Sequence, residues 1–315
     1  MSDRDLPTPR TPDPDTPVRP SALVLPAVAD PPLTERRPWL ERAEITDAVA
    51  VPGTDTPLYV AEDGVAVTTT GIGKSDAATT VTALLAAPGV DLSSAYVVST
   101  GIAGGPPART ALGSVVVADA IVDWDRKHRW DRGDADASPA ADDPADRLDL
   151  LAYRPRDYVH RLEPRLVERA QSVAASVDLR SDAAVRASQR QYPDAPAAGP
   201  TVETGTSVCG DEFWHGRERA REVAWLCEAY GVAPFLATQM EDAATATALE
   251  RFDRLERYLS VRAVANYDRP APGQSAAESF DGTDASRELA IDNAARAAGA
   301  VVDDLVAADP LGLDG

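Results

Sequence analysis

The sequence has few cysteines and no long hydrophobic run. Its two cysteines, Cys209 and Cys227, form no CxxC pattern, which argues against a disulfide framework and against a cysteine zinc site. No stretch of about 18 apolar residues is present, so we expect no transmembrane segment. The amino terminus lacks a basic region followed by an apolar one, which favours a cytoplasmic protein over a secreted one.

Positive charge is also scarce. Lysine and arginine together number 31 against 51 acidic residues, which gives a formal net charge of −20. A phosphate backbone needs clustered basic side chains, so nucleic acid is not an expected partner. The lysines are Lys74 and Lys127, and all other basic residues are arginines. This composition is similar to that of halophilic proteins from salt-loving archaea, and we expect dilute salt to weaken the fold.

Histidine is rare as well. His128, His160 and His215 show no metal-ligand spacing and no legible pairing with a nucleophile, so no metal site is predicted.

What the sequence does contain is an alternation of β-branched runs and helical patterns. The runs predict strands over residues 21–28, 65–70, 95–100, 114–120, 201–208 and 259–265. Helical spacing predicts helices over residues 74–87, 157–175, 211–230, 241–258 and 286–307. Strand, helix and strand in succession indicate a parallel sheet. We therefore predict a three-layer α/β/α sandwich around a mixed, mainly parallel sheet.

The ends of the chain differ from its middle in composition. Residues 1–20 are rich in proline, aspartate and threonine, which predicts a disordered tail. Residues 21–308 are predicted to form a single domain, followed by a carboxyl-terminal tail over 309–315. Within the domain, residues 131–149 are rich in aspartate and alanine and predict an acidic surface loop.

Two glycine-rich segments are candidates for contact with an anion or a water molecule. Residues 71–74 turn from a strand into a helix, where free backbone N–H groups can face an anion. Residues 99–105 follow a strand directly, and their glycines let the backbone approach a ligand closely. The candidate phosphate-or-water loop consists of Gly71, Ser99, Thr100 and Gly101, although each segment is also compatible with a plain turn.

Other candidates lie where predicted strands give way to helices. The candidate base-binding residues are Asp211, Phe213 and Trp214. Asp211 stands at the N-cap position of a predicted helix, and Phe213 and Trp214 offer flat apolar surfaces for stacking on a base. Such aromatic residues are also common in a core. Met240 and Glu241 open the next helix, and a carboxylate is a natural acceptor for two vicinal ribose hydroxyls. An acid at this position also complements a helix N-terminus.

Polar residues follow the last predicted strand. Asn266 and Asp268 lie just past residues 259–265, at the end of the sheet where open parallel sheets place ligands. An amide or carboxylic acid there can donate a hydrogen bond to a purine nitrogen and stabilise the departing base. A polar loop at the end of a strand is the competing interpretation.

Taken in order, these segments resemble the nucleoside phosphorylase superfamily, which includes purine nucleoside phosphorylases, uridine phosphorylase and methylthioadenosine nucleosidases. The matching motifs are GIGKxxAA at residues 71–78, TGSAGG at 99–105, GDVVVSD at 113–119, SGDxF at 205–213, VEMEGAA at 239–244 and VRxISD at 261–266. Within the superfamily, residues 265–275 are most similar to the purine nucleoside permease (NUP) family.

The resemblance implies a role for several positions. Glu241 binds the ribose hydroxyls, Met240 packs under the sugar and Phe213 stacks near the base. Asn266 stabilises the leaving purine, and Asp268 is a candidate acid.

Some positions depart from the superfamily pattern. Gln239 replaces the first glutamate of VEMEGAA and Asp242 its glycine. The positions that hold phosphate in hexameric phosphorylases are Ser99 and Ile102 here, which leaves phosphate use open. The acid of the family's amino-terminal loop has only Asp30 as a faint counterpart.

The predicted function is therefore purine nucleoside binding with cleavage of the N-glycosidic bond, of the phosphorylase or nucleosidase type. We expect no cofactor, with inorganic phosphate the co-substrate to be tested. The resemblance also implies a homo-oligomer. The alternative is a non-catalytic nucleoside-binding or transport-associated protein of the permease type.

Overall fold

The β-branched runs form the centre of one large mixed sheet in the computed structural model, which describes residues 6–130, 143–150, 158–280 and 282–313. Within these residues the strands are β1 Ala22–Leu25, β2 Ile45–Val49, β3 Leu58–Ala61, β4 Val65–Val67, β5 Tyr96–Gly105, β6 Val115–Asp123, β7 His128–Arg129, β8 Leu148–Asp149, β9 Val159–Arg161, β10 Val202–Cys209, β11 Phe235–Gln239 and β12 Tyr258–Tyr267.

The order of strands in the large sheet is β11-β10-β6-β12-β5-β1-β4-β3-β2, with β9 beside β6. Strand β1 pairs in parallel with β4 and β5, and β5 pairs in parallel with β12. Strand β6 runs antiparallel to β12, and Thr238 of β11 pairs with Gly104 of β5, which brings the end of β11 onto β5. The predicted mixed sheet of an α/β protein is confirmed.

Helices cover the sheet in two groups. The helices of the described residues are α1 Arg37–Glu41, α2 Lys74–Ala86, α3 Pro164–Ala175, α4 Ala183–Gln189, α5 Arg217–Ala229, α6 Asp242–Arg251, α7 Ala276–Ser279 and α8 Asp284–Ala308. Helix α2 packs on α6, whereas α1, α3 and α4 pack on α8, which in turn lies on β5 and β12. Among the described helices, none combines the length and the hydrophobicity needed to cross a membrane.

The glycine-rich segment at residues 99–105 is part of β5 instead of a loop that follows it. Its glycines allow close approach by other elements. A Cβ atom on Gly104 would lie 2.7 Å from Thr238 Oγ1, so the contact between β5 and β11 requires a residue without a side chain.

Two predicted helices begin later in the chain than their patterns indicated. Helix α5 begins at Arg217 with Gly216 at the N-cap, so the prediction that Asp211 caps this helix is wrong. Helix α3 begins at Pro164, and the preceding Val159–Arg161 segment pairs with β6 as a strand. Proline is favoured in the first turn of a helix, where its missing N–H has no partner to lose.

The helix predicted over residues 241–258 is also shorter than its pattern. Helix α6 ends at Arg251, and Asp253 adopts a left-handed conformation with φ of 56° before a short 3-10 turn leads into β12. The helical spacing of the sequence therefore continues past the residue at which the helix ends.

Residues 6–20, which we predicted to be disordered, contact the edge of the sheet at Arg10 and the connection between α2 and β5 at Val18. Arg10 donates its backbone N–H to Ala48 O of β2, and its guanidinium pairs with Asp47 at 2.7 Å. Backbone pairing with an exposed strand edge can stabilise a segment whose composition offers little to bury. Most of the predicted acidic loop, residues 131–142, lies outside the described residues.

Candidate functional site

A cleft of about 840 Å³, which includes space open to solvent, lies where the carboxyl ends of β1, β5, β11 and β12 meet. Six of the residues singled out in the sequence line it: Phe213, Trp214, Met240, Glu241, Asn266 and Asp268. Further lining residues include Glu35, Ile102, Glu212, Thr238 and Arg262.

Glu241 is held in the wall of the cleft by two contacts from distant parts of the chain. Its Oε1 accepts the backbone N–H of Gly73 at 3.0 Å, and its Oε2 pairs with Arg262 Nη2 at 3.0 Å. Burial raises the pKa of Glu241, with Arg262 and the Gly73 N–H opposing that shift. An ionised carboxylate offers about four acceptor positions, so each oxygen of Glu241 retains capacity for a hydroxyl donor.

Arg262 projects from β12 and connects two acids. Its Nε and Nη2 donate to Asp242 at 3.2 and 2.7 Å, and Ser260 donates its hydroxyl to the same carboxylate at 2.5 Å. The Arg262 side chain is 3% exposed. Burial alone would lower the pKa of Arg262, but Asp242 and Glu241 raise it above its ordinary value. Arg262 is therefore a cation at neutral pH.

Gln239 positions the start of α6. Its Oε1 accepts the backbone N–H groups of Glu241 and Asp242 at 2.8 and 2.9 Å, and its Nε2 donates to Ser207 at 3.2 Å. The first N–H groups of a helix have no partner within the helix, so an acceptor here fixes the turn that carries Glu241.

Glu35 is a third buried acid in the wall. Its Oε2 accepts the N–H groups of Ala27 and Val28 at 3.0 and 3.2 Å, and its Oε1 accepts the N–H of Ile102 at 2.8 Å. Burial raises the pKa of Glu35 to about 6, and nearby Glu241 also raises it. The Arg262 charge and the Ile102 N–H lower the pKa, but burial outweighs them. Glu35 therefore titrates close to neutral pH and keeps about one acceptor position free.

Gly101 leaves room for Glu35. A Cβ atom on Gly101 would lie 2.4 Å from Glu35 Oε1, a distance that real side chains do not adopt. The carboxylate thus rests on the bare backbone of β5.

The segment 211–216, which we call the aromatic segment, lies between β10 and α5. Phe213 packs on Phe280 with ring centroids 4.5 Å apart, and Trp214 packs on Trp124 at 6.4 Å. Phe213 is nevertheless 63% exposed. Its ring is available to a ligand in the cleft.

Asn266 and Asp268 reach the cleft from the end of β12. Asn266 Nδ2 donates to the carbonyl oxygens of Phe280 at 3.1 Å and Tyr267 at 3.3 Å. With both amide hydrogens engaged, Asn266 has its Oδ1 left as an acceptor, and the donor role expected from the sequence stays a prediction. Burial raises the pKa of Asp268, although its ion pair with Arg269 at 2.6 Å opposes the shift.

Five of the predicted site residues do not line the cleft. Asp211 accepts the N–H of Lys74 at the start of α2, and Gly71 lies against the side chain of Asp76. The others lie in β5. Ser99 is buried and accepts a hydrogen bond from Tyr258 at 2.9 Å, the buried hydroxyl of Thr100 has no hydrogen-bond partner among the described residues, and Gly101 contacts Glu35. The segment thus contributes to the cleft through Ile102 and through the space that Gly101 leaves.

Two residues of the wall received no role from the sequence. Arg262 lies in the matched motif at residues 261–266, but a motif match does not reveal its partners. Glu35 follows β1 in a segment without a motif, and it lines the cleft, whereas the faint candidate Asp30 is exposed and does not.

Comparisons with known proteins give two kinds of likeness. A family described as purine nucleoside permease (NUP) matches residues 22–309. A purine nucleoside permease of Candida albicans is 26% identical over 294 residues, which cover 86% of this chain and 72% of that protein. A probable purine nucleoside permease of Schizosaccharomyces pombe is 28% identical over 259 residues, or 76% of this chain and 74% of that protein.

Solved structures show the same fold. A 5'-methylthioadenosine/S-adenosylhomocysteine nucleosidase from Neisseria meningitidis superposes with a TM-score of 0.59 at 22% identity, covering 91% of this chain and 100% of that one. Futalosine hydrolase of Helicobacter pylori gives a TM-score of 0.60 at 21% identity, covering 91% of this chain and 99% of that one. At these identities the likeness establishes the fold alone.

Proposed function

The chain belongs to the purine nucleoside permease (NUP) family, and from this membership and the geometry of the cleft we propose that it binds a purine nucleoside and cleaves its N-glycosidic bond. The observation that carries the proposal is the buried Glu241 carboxylate, which Gly73 and Arg262 hold at the cleft wall with acceptor capacity left on both oxygens. Vicinal ribose hydroxyls are donors that match this arrangement. Phe213 and Trp214 supply apolar surface for the base.

The residues near Glu241 support chemistry at the glycosidic carbon. Cleavage passes through a sugar with oxocarbenium character, which nearby carboxylates stabilise. Glu35, with a pKa of about 6, is ionised at neutral pH and is suited to accept a proton from a nucleophile. Asp268 is the proposed acid for the leaving purine, and Asn266 Oδ1 accepts the N–H of a protonated base.

A non-catalytic nucleoside-binding or transport-associated protein is the second candidate. The observation that favours it is that the curated relatives are named permeases. This candidate predicts the same binding site but no release of free base.

The test is to mix the protein in molar KCl with inosine, adenosine or guanosine, and to measure binding by calorimetry and free base by chromatography. We expect binding and base release by the unaltered protein. Removing one charged hydrogen-bond partner costs about 2 kcal/mol, so Glu241→Gln should weaken nucleoside binding roughly 30-fold. Glu62→Gln, at an exposed acid in the turn after β3, is the matched control and should bind normally. Unchanged binding by Glu241→Gln would refute the site.

We also propose a cytoplasmic homo-oligomer adapted to high salt, as the composition and the resemblance suggest. Light scattering and thermal unfolding in molar and dilute KCl test the assembly and the salt dependence together. A monomer in molar salt, or an unfolding temperature that salt does not change, would contradict the corresponding part.

A further inference from the structure

We infer that the nucleophile in this cleft is water and that inorganic phosphate is excluded, an inference that rests on the proposed function. The first support is the charge of the lining. Among the described lining residues, Arg262 is the one cation, and besides the proposed proton donor Asp268 it stands with three acids: Glu35, Glu212 and Glu241. A phosphate anion entering a partly dehydrated cleft of this composition meets repulsion that water does not.

The second support is that the hydrogen-bond donors of Arg262 are already engaged. Nε and Nη2 donate to Asp242, Nη2 also pairs with Glu241, and Nη1 donates to the Ile102 carbonyl at 3.3 Å. A guanidinium has five N–H donors, so about one remains free. Binding of phosphate by arginine commonly uses two parallel donors, which Arg262 does not have available.

Neighbouring cations and helix donors are likewise occupied by the protein's own acids. Lys74 Nζ pairs with Asp123 at 2.8 Å and with Asp125 at 2.6 Å. At the start of α2, the N–H groups of Gly73 and Lys74 donate to Glu241 and to Asp211, respectively. These donors belong to the turn that the sequence analysis named as a candidate anion site. These carboxylates engage donors that a phosphate group at this turn would need.

Asp242 is the residue that determines this exclusion. It is fully buried and takes two hydrogen bonds from Arg262. It occupies the position where the superfamily pattern VEMEGAA has glycine, a residue with no carboxylate to engage a guanidinium. With Asp242 present, the charge of Arg262 is balanced within the protein before any ligand enters.

Glu35 supplies the acceptor that attack by water requires. Three backbone N–H groups occupy three of its acceptor positions, which leaves about one for a water molecule. As the water oxygen bonds to C1′, one of its protons passes to Glu35. The bond between C1′ and the purine nitrogen breaks, its electron pair goes to the purine, and the purine takes up the proton of Asp268. Glu35 then returns its proton to Asp268 through solvent, and the products are free purine and free ribose.

The experiment compares base release by the full chain in phosphate and in chloride at equal ionic strength. We expect the same rate in both solutions and free ribose as the only sugar product, measured by a reducing-sugar assay and by phosphorus NMR. Release that requires phosphate, or the formation of ribose 1-phosphate, would overturn the inference. If inosine, adenosine and guanosine all fail to bind, the proposed function fails instead.

A binding measurement makes the test independent of turnover. Calorimetry with inorganic phosphate should detect no binding to the nucleoside-loaded protein, and saturable phosphate binding would overturn the inference even if no base is released. Nucleoside binding without base release in either solution would overturn the part that concerns attack by water.

The variant Asp242→Asn frees part of the charge of Arg262, and we expect phosphate to bind or to inhibit at least tenfold more strongly than in the unaltered protein. Ser260→Ala removes a hydrogen bond to the same carboxylate without changing charge and should not gain phosphate affinity. Circular dichroism establishes that both variants are folded. A folded Asp242→Asn protein with no gain in phosphate binding or inhibition would contradict the role of Asp242. If this variant does not fold, the phosphate experiment on the unaltered chain decides the question.

Discussion

The two sides of the cleft are built by different means. The charged wall, which consists of Glu35, Glu241 and Arg262 with Asp242 behind them, is less than a tenth exposed and is tied to backbone N–H groups from separate elements. The aromatic segment is a connection between a strand and a helix, and its Phe213 ring is 63% exposed. The wall presents fixed charges before a ligand arrives, whereas the segment offers surface that a ligand would cover.

This difference indicates that the charged wall and the aromatic segment have different roles. Buried charges cost free energy unless they are paired, so the geometry of the wall is maintained by folding itself. An exposed ring contributes little to folding and is free to serve binding. Substitutions in the wall should therefore change stability and chemistry together, and substitutions in the segment should change binding alone.

The largest effect is expected at Arg262. In Arg262→Met, three buried carboxylates lose their shared cation. We expect the free energy of unfolding to fall by about 3–5 kcal/mol. The control is Arg19→Met, whose guanidinium is 65% exposed and pairs with Asp91, and whose loss should cost less than about 1 kcal/mol. Urea unfolding at constant salt measures both. Equal destabilisation by the two variants would show that the wall is not held by charge.

A smaller effect concerns pH and Glu35. Its folded pKa of about 6 exceeds the ordinary value of 4.5, so the folded state binds the proton more tightly than the unfolded state does. The contribution of Glu35 to stability is fully present below pH 4.5 and falls by about 2 kcal/mol as the pH rises through 6.

The variant Glu35→Gln should lack the loss of stability that Glu35 causes as the pH rises. The difference in the free energy of unfolding between the variant and the unaltered protein should therefore change between pH 4.5 and 6. Base release, which uses the ionised form, should rise through the same region and be greatly reduced in the variant. Unfolding curves and rates at a series of pH values measure both. Parallel stability profiles would contradict the assignment.

The smallest effect is expected at Phe213. Loss of stacking in Phe213→Ala should weaken nucleoside binding by about 1 kcal/mol, or roughly fivefold, with a change in stability below about 0.5 kcal/mol. Phe252→Ala, at an exposed phenylalanine that does not line the cleft, is the control and should bind nucleoside normally. A large loss of stability in Phe213→Ala would mean that the aromatic segment belongs to the core.

The central part of the fold could be predicted because its signals are local. The strands β1, β4, β5, β6, β10 and β12 and the helix α2 follow from β-branched runs and helical spacing. Strands β2, β3 and β11 and the helices α1 and α4 were not predicted, since they are short or their patterns are weak. The start of α5 was misplaced because Asp211 has the chemistry of an N-cap but uses it on α2.

The sequence by itself determined the α/β class, and the order of its motifs pointed to Glu241, because helix and strand periodicities and motif spacing are properties of neighbouring residues. Only the tertiary structure brought Glu35, Asp242 and Arg262 to the same wall. The charges of Glu35 and Arg262 interact although these residues are far apart in the sequence, and the pKa of Glu35 depends on its burial and on nearby Glu241. Burial and charge balance arise only when distant segments pack together, so no local pattern encodes them.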